Sequence, residues 1–419
     1  MRRMLTIIVV IICIVIIGCG TGFSGESFPQ DFNIISYTEE EFKEDADSLL
    51  KELEKRHSWL YDELFWAEYE WDFEIFKQDI SKGINDIWFY YEVSRLLAKI
   101  GDGVTKPVSG LSEDVQYRLP FTVMRLTEGY YVDSICKEKE DYLGWELIAI
   151  NGVKISKLKE VLSEYVPYHN EVSLWKNLGA NLNDYWLLFC TGVAKDTDVE
   201  ITLSKDGKTE VIILRAEAVT ELKEKDMAKL EATGENRKRD EYYYLEKQGE
   251  ILYFQYNIAD TDPEYPLKKL LVDMEEGLQN CKASVIDLRY NDGLTGVGAD
   301  LPIIKELLKK YTEKGLKLYC LIGNKTGGAV VERARDYKQW LGAVIVGEST
   351  VDSEIYFYEF KELVLLNSGI TVRYPSKQRA PLRSSRENIE PDVKVIHTIE
   401  DYIAGVDRDM EKVKELMNE

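Results

Sequence analysis

The second half of the chain alternates short apolar segments with amphipathic ones, and this alternation limits the fold more than any other feature. The pattern predicts strands at 251–256, 284–288, 316–322 and 343–346, separated by helices at 267–278, 302–311 and 329–341. Strands joined by helices pair in parallel, because each connection must cross the sheet before the next strand begins. We therefore expect residues 249–398 to form an α/β domain with a mainly parallel sheet, followed by a C-terminal helix at 399–419.

Three further regions precede this domain. Residues 39–110 have apolar positions three and four apart, which predicts a helical domain. Residues 116–216 have strand-like text and an Asn151-Gly152 turn, followed by a short helix and a hairpin, and they resemble a PDZ module with an insertion at about 167–193. Residues 217–248 are dense in charge and are predicted to be a helical connector or solvated linker.

The N-terminus has the pattern of an export signal. Arg2 and Arg3 precede an apolar run that ends at Gly18-Cys19, and the run is short for a membrane-spanning helix. The ending resembles the bacterial lipobox, in which cleavage leaves the cysteine as the lipid-bearing first residue. We expect a signal peptide at 1–18, lipid attachment at Cys19, a tether at 19–38, and a location at the cell membrane outside the cytoplasm. An uncleaved helical anchor is the alternative.

Charge and cysteine content exclude several classes of function. The net charge is −22, so the chain repels phosphate backbones and nucleic acid is not expected as a partner. No zinc signature occurs, and the three histidines lie far apart in the chain, so neither a metal nor another cofactor is predicted. The cysteines after Cys19 are scattered and are expected to be small buried residues, although one disulfide stays open: Cys136, Cys190, Cys281 and Cys320.

Five short segments, in this order, resemble the C-terminal processing (tail-specific) serine peptidase family. They are similar to its "GDGHT", "YxxYN", "VIDLRxNxGG", "VGExT" and "PD" motifs. In this chain they are Ile100–Thr105, Ile251–Asn257, Val285–Gly293, Val346–Thr350 and Glu390–Val393. The resemblance implies the family's order of helices, PDZ-like module and α/β catalytic domain over nearly the whole mature chain.

The departures from this family fall on the catalytic groups. In the family's nucleophile turn, Thr326 matches a threonine, Gly327 takes the variable place and Gly328 takes the place of the serine. The resemblance puts a histidine base at Val104 and a lysine base, in other branches, at Ser353. Leu294 replaces the second glycine of the oxyanion-forming turn.

The same residues could still bind a ligand. Gly327 and Gly328 open a predicted helix, whose first N–H groups attract anions. A peptide carboxylate or carbonyl is therefore expected there, near Asn291 and Gly293, although the glycines could simply fit a tight turn. Arg289 and Asp287 are expected to form a structural ion pair.

Three functions remain open on the sequence. The first is an exported pseudopeptidase that binds peptides or envelope proteins. The second is an active peptidase that uses Thr326 or Ser349 as nucleophile, with Lys325 or His397 as base. The third is a structural lipoprotein whose groove is filled by its own chain. His57 and His169 are expected at surfaces or helix ends.

Overall fold

The computed structural model describes residues 37–60, 63–80, 85–231, 241–258, 260, 262–293, 301–379 and 387–418, with the backbone alone for 63–68, 301 and 356. The predicted signal peptide, Cys19, nearly all of the tether and Leu294 lie outside these residues.

Three helices begin the described chain, a mainly β region follows, and helices and strands alternate from Ile251 to Gly347. The helices are α1 Glu39–Arg56, α2 Glu63–Ile80, α3 Asp86–Ala98, α4 Ile155–Leu162, α5 Glu171–Gly179, α6 Tyr185–Cys190, α7 Val219–Glu224, α8 Leu267–Leu278, α9 Leu301–Thr312, α10 Ala329–Leu341, α11 Ile399–Ala404 and α12 Arg408–Asn418, with a 3₁₀ helix at Lys137–Tyr142. The strands are β1 Lys106–Ser109, β2 Tyr117–Arg118, β3 Phe121–Arg125, β4 Tyr130–Cys136, β5 Glu146–Ile150, β6 Val153–Lys154, β7 Asp198–Lys205, β8 Lys208–Arg215, β9 Glu217–Ala218, β10 Met227–Lys229, β11 Tyr243–Gln248, β12 Ile251–Tyr256, β13 Ala283–Asp287, β14 Lys317–Ile322, β15 Val344–Gly347, β16 Tyr356–Val364, β17 Thr371–Arg379 and β18 Val393–Lys394.

The N-terminal helices share their core with a hairpin from the far end of the chain. A capping box between Thr38 and Glu41 starts α1. Strands β1, β17 and β16 form an antiparallel sheet in that order. Val372 and Tyr374 of β17 are fully buried against the apolar faces of the N-terminal helices. The first core is therefore built from segments more than 250 positions apart in the sequence.

The middle of the chain forms a seven-stranded antiparallel sheet. Its order is β10–β4–β5–β7–β8, with β3 also paired to β4 and β6 to β5. The predicted insertion forms α5 and α6, and Trp186 of α6 is fully buried. Strand β3 pairs on one side only among the strands that the structure describes.

The C-terminal sheet has the crossover arrangement predicted from the sequence. Its order is β11–β12–β13–β14–β15–β18, and all neighbours are parallel except β11 and β12. Leu252 and Phe254 pack beneath α8, α9 and α10, while Ile251 and Tyr253 pack towards α12. Alternating residues of one strand thus fill two cores, because successive side chains of a strand point to opposite faces. The α/β fold class is confirmed.

The predicted connector at 217–248 is partly built into both sheets. Strand β10 adds to the middle sheet and β11 to the C-terminal sheet. Ala228 and Tyr243 are buried, whereas most of their charged neighbours face outward. The high charge density therefore correctly predicted that most of this region faces solvent, but it did not predict the two edge strands.

Two further features concern the membrane and the cysteines. Within the described ranges, no helix is both long enough and apolar enough to span a bilayer. Cys136, Cys190 and Cys320 are buried free thiols, and Cys281 is a half-buried one. Burial raises the pKa of Cys136 to about 11, so this thiol is protonated and unreactive at neutral pH.

Candidate functional site

Two turns meet at the carboxyl edge of the parallel sheet. The Thr326 hydroxyl, which is fully buried, donates to the Leu288 carbonyl at 2.9 Å and accepts the Gly323 N–H at 3.0 Å. The Gly327 N–H donates to the Asn291 carbonyl at 3.0 Å. The turn after β14 is therefore hydrogen-bonded to the turn after β13, and the buried Thr326 hydroxyl stabilises this contact.

Gly328 begins α10 in a backbone conformation that side chains disfavour. Its φ is 52° and its ψ is −137°. A Cβ atom at this position would lie 2.9 Å from the Asp292 carbonyl oxygen, and a Cβ on Gly293 would lie 2.4 Å from the Gly327 oxygen. Both positions therefore favour glycine, for conformation and for close backbone approach, and a side chain on Gly328 would require the turn at 292–293 to shift.

The anion site predicted at the start of α10 already holds a carboxylate of the chain itself. The Gly328 N–H donates to Oδ2 of Asp352 at 2.7 Å. The Gly293 N–H donates to Oδ1 of Asn291 at 3.0 Å. The positive end of the helix favours the negative charge of Asp352. An incoming carbonyl or carboxylate reaches the Gly328 N–H only if Asp352 moves away.

His169 joins the site from the middle of the chain. Its Nε2 lies 3.4 Å from Oδ1 of Asp352, and its Nδ1 lies 2.4 Å from where a Cβ of Gly103 would stand. Next to it, the Asn170 amide donates to the Val351 carbonyl at 2.9 Å. These contacts bring together three segments distant in sequence. No motif marked His169, and an isolated histidine in an insertion gives no signal that it faces a site.

The turn that holds Val104 is anchored by a buried acid and histidine. Oδ1 of Asp102 accepts the Val104 and Thr105 N–H groups, each at 2.9 Å. Nε2 of His57 donates to Oδ2 of Asp102 at 3.0 Å, because its Nδ1 accepts the Trp59 N–H at 3.1 Å. Burial would raise the pKa of Asp102, but the hydrogen bonds from His57 and Thr105 lower it. His57 caps the C-terminal end of α1, which was one of the two expected positions, and it is fully buried there.

The other candidate hydroxyls are bonded to backbone or carboxylate groups. Ser353, at the place of the lysine base, is buried; its hydroxyl donates to the Ile355 carbonyl at 3.1 Å and accepts the Ile355 N–H at 3.2 Å. Ser349 donates to the Glu390 carboxylate at 2.7 Å. The hydroxyls of Thr326, Ser349 and Ser353 thus all donate to carbonyl or carboxylate oxygens.

A cavity of about 680 Å³ lies between the middle sheet and the C-terminal domain. One wall is formed by 123–127 of β3 and its following turn, and another by α5, including Trp175 and Lys176. The opposite wall includes 322–325 from the candidate nucleophile turn. A volume of this size is typical of ligand sites.

An ionic network forms the floor of this cavity. Arg289 binds Asp287 at 2.6 Å, which confirms the predicted ion pair, and it also binds Asp409 at 2.6 Å. His397 lies 3.1 Å from Asp409 and 3.4 Å from Glu348. Burial opposes protonation of His397, but the hydrogen bonds and charges of both acids raise its pKa to about 9. His397 is therefore an imidazolium at neutral pH and is not available as a base.

Several solved structures have a similar fold. Mature CPAF complexed with lactacystin has a TM-score of 0.62 and 12% identity, with 90% of this chain and 98% of that chain covered. Mature CPAF without that compound has a TM-score of 0.61 and 12% identity, with coverages of 90% and 96%. For the photosystem II D1 C-terminal processing protease the TM-score is 0.41 at 13% identity, with coverages of 90% and 97%. No family model and no curated protein matches the chain. The CPAF structures establish that the chain has a C-terminal processing protease-like fold.

We expect the stability of the protein to fall as pH rises from about 6.5 to 9. The pKa of His397 is higher in the folded state than the ordinary value of 6.5, so its contribution is fully present below pH 6.5 and is lost as pH rises through 9. The loss should be about 3 kcal/mol in the free energy of unfolding. Urea denaturation across this range measures it.

The variant His397→Gln should flatten this pH dependence, whereas His169→Gln should retain it, since the contacts of His397 remain. An equal slope in the wild type and His397→Gln would contradict the assignment.

Proposed function

We propose that this protein is an exported, membrane-anchored binder of peptide or protein segments that performs no peptide hydrolysis. The observation that carries the proposal is Gly328. It stands where the resemblance puts the nucleophile, and its N–H holds the carboxylate of Asp352.

The chemistry of acyl transfer explains why this matters. A covalent peptidase needs an activated nucleophile and a base within hydrogen-bond reach. Removing one member of such a unit lowers turnover by about 10⁶-fold in a well-studied case. Here the nucleophile position is Gly328, and the two base positions are Val104 and Ser353. Valine accepts no proton, and the Ser353 hydroxyl is bonded to the backbone of Ile355.

The free edge of β3 supports binding of an extended chain. The N–H of Val132, on β4, donates to Trp145, and its carbonyl accepts from Gly144, so both groups point away from β3. Val123 pairs directly opposite Val132, and in antiparallel strands such a residue also points its polar groups away from its partner strand. Val123 also lines the cavity, and at such an open edge a PDZ-like module would add a ligand strand. The free stretch begins after Phe121, whose carbonyl accepts the Asn183 amide at 2.8 Å.

We expect the wild-type protein to cleave no peptide and to resist serine-directed fluorophosphonates. The variant Gly328→Ser/Val104→His should regain measurable peptide hydrolysis, because it restores a hydroxyl and an imidazole to the two turns. Adding Asp352→Ala should raise the rate further, since it frees the Gly328 N–H. Hydrolysis of a fluorogenic peptide library measures the activity of the wild type, the double variant and the triple variant.

A control separates chemistry from strain in this experiment. Gly342 ends α10 with φ 68°, and a Cβ there would meet no atom within 4 Å. Gly342→Ser/Val104→His therefore introduces positive-φ strain of about 1–3 kcal/mol without a hydroxyl at the turn, although it lacks the backbone contact that a Cβ on Gly328 would make. Wild-type cleavage that is abolished by Thr326→Ala or Ser349→Ala would instead establish the active peptidase.

Peptide binding should depend on the β3 edge. Val123→Pro removes the outward N–H and should weaken binding of extended peptides about tenfold, since a backbone hydrogen bond contributes about 0.5–1.5 kcal/mol and the ring also obstructs the incoming strand. Ala180→Trp should obstruct the cavity without changing a strand.

Lys195→Trp is the matched control, because Lys195 is exposed and outside the cavity lining. Fluorescence anisotropy with a peptide pool gives the affinities. Failure of the wild type to bind any peptide would favour the purely structural lipoprotein.

The anchor has its own test. Cys19→Ala should release the exported protein from the membrane fraction, because it removes the predicted lipid-bearing residue. Labelling with an alkyne-tagged fatty acid should be lost in parallel. Retention of Cys19→Ala in the membrane would instead indicate the uncleaved helical anchor.

A further inference from the structure

Strand β8 forms an open edge of the middle sheet. It pairs with β7 over eight consecutive residues, from Lys208 to Arg215, and the register does not shift along this length. No other strand in the described part of the chain pairs with β8. Its far side therefore presents a regular row of backbone N–H and carbonyl groups.

The bonds of Glu200 on β7 show which residues of β8 carry these groups. The Glu200 N–H donates to Oδ1 of Asn151 at 2.8 Å, and the Glu200 carbonyl accepts the Asn151 N–H at 2.8 Å. Both groups of Glu200 therefore point away from β8. Ile213 pairs directly opposite Glu200, so its own N–H and carbonyl point away from β7.

Every second residue of β8 shares this orientation. Thr209, Val211, Ile213 and Arg215 each direct an N–H and a carbonyl outward, and none of the described residues hydrogen-bonds these groups there. The side chains of Val211 and Ile213 are 58% and 60% exposed. The edge thus combines free backbone groups with two exposed β-branched side chains, which are favourable in strand pairing.

The other edge strands that the structure describes lack this combination. Strands β1, β2, β6, β9, β10 and β18 have four residues or fewer. Strand β3 shifts its register between Thr122 and Val123, and the ladder of β16 is interrupted at Glu359, whose φ is 53°. Strand β11 exposes Glu246 and Lys247. Short length, irregularity and exposed charge prevent pairing between sheet edges, so the regular β8 is the edge suited to a partner strand.

The charges around β8 favour a second copy of the chain as that partner. Strands β7 and β8 together carry three basic and three acidic side chains, although the net charge of the chain is −22: Lys205, Lys208, Arg215, Asp198, Glu200 and Glu210. Two copies that repel each other elsewhere can therefore approach at this hairpin. No residue of β8 lines the cavity beside β3, so this edge lacks the cavity that would receive the side chains of a peptide ligand.

We propose that two copies of this protein pair through their β8 edges, with Val211 of each copy opposite Ile213 of the other. A two-fold axis makes this pairing antiparallel and self-complementary. The four β-branched side chains then form one cross-strand cluster. Thr209 of each copy lies opposite Arg215 of the other, so like charges do not oppose each other on this face. This inference does not depend on the proposed function.

Sedimentation velocity of the full chain, in an excess of nonionic detergent micelles, tests the pairing. The wild type should change from one chain to two as its concentration rises through the micromolar range. Val211→Glu and Ile213→Lys should each weaken association about tenfold, because each substitution acts twice in a two-fold dimer. An equal mixture of these two variants should recover the dimer, since their new charges are opposite and the second Val211–Ile213 pair is intact.

Two further variants separate the edge from other effects. Ile213→Pro removes an outward N–H and no bond to β7, so it should also weaken association. Val272→Glu is the matched control, because Val272 lies on α8 with 59% exposure, and it should leave the dimer unchanged. A wild type that stays single at all concentrations would overturn the proposal. So would a dimer that keeps its strength in the β8 variants, or a mixture that shows no recovery.

Discussion

The close approach of two glycine turns is the constraint on which the rest of the site depends. Gly293 and Gly327 touch backbone to backbone, and a side chain on Gly293 would force them apart. The same lack of side chains lets Asp352 reach the Gly328 N–H, since a Cβ on Gly327 would lie 2.7 Å from its Oδ2. Glycine at these positions therefore has two consequences. It leaves positions 327 and 328 without a side-chain hydroxyl, and it admits a carboxylate to the place where the start of a helix attracts negative charge.

Local periodicity was enough to predict the α/β domain. Helices α8 and α10 and strand β12 have the predicted bounds, because each helix buries one regular face and β12 is a short segment buried on both faces. The remainder depends on contacts that a local pattern does not contain. The hairpin of β16 and β17 completes the N-terminal core, and β10 joins a sheet that begins a hundred residues earlier. His57 follows a charged helix end, yet the Asp102 turn buries it.

Some residues of the candidate site could likewise be placed from the sequence, and others could not. Asn291, Gly293 and the turn at 326–328 could be placed together from sequence, because neighbouring parallel strands end at one edge of a sheet. His169 and Asp352 could not, since one comes from an insertion and the other lies just outside the Val346–Thr350 segment. Their pairing also changes the interpretation of the helix start. The predicted free anion site is occupied by the chain itself, so a ligand there must compete with Asp352.

The ionic network connects the edge of β3 with the glycine turn. Thr127 ends the cavity wall that starts at β3. Its hydroxyl donates to the Glu348 carboxylate at 2.7 Å and accepts the backbone N–H of His397 at 3.0 Å. Glu348 also accepts the amide of Asn324, at the start of the turn that leads to Gly328. One carboxylate therefore serves both modules, and the imidazolium of His397 holds it in place. A segment that bound at β3, as proposed above, would lie beside this shared carboxylate, and the network would couple it to the turn that leads to Gly328.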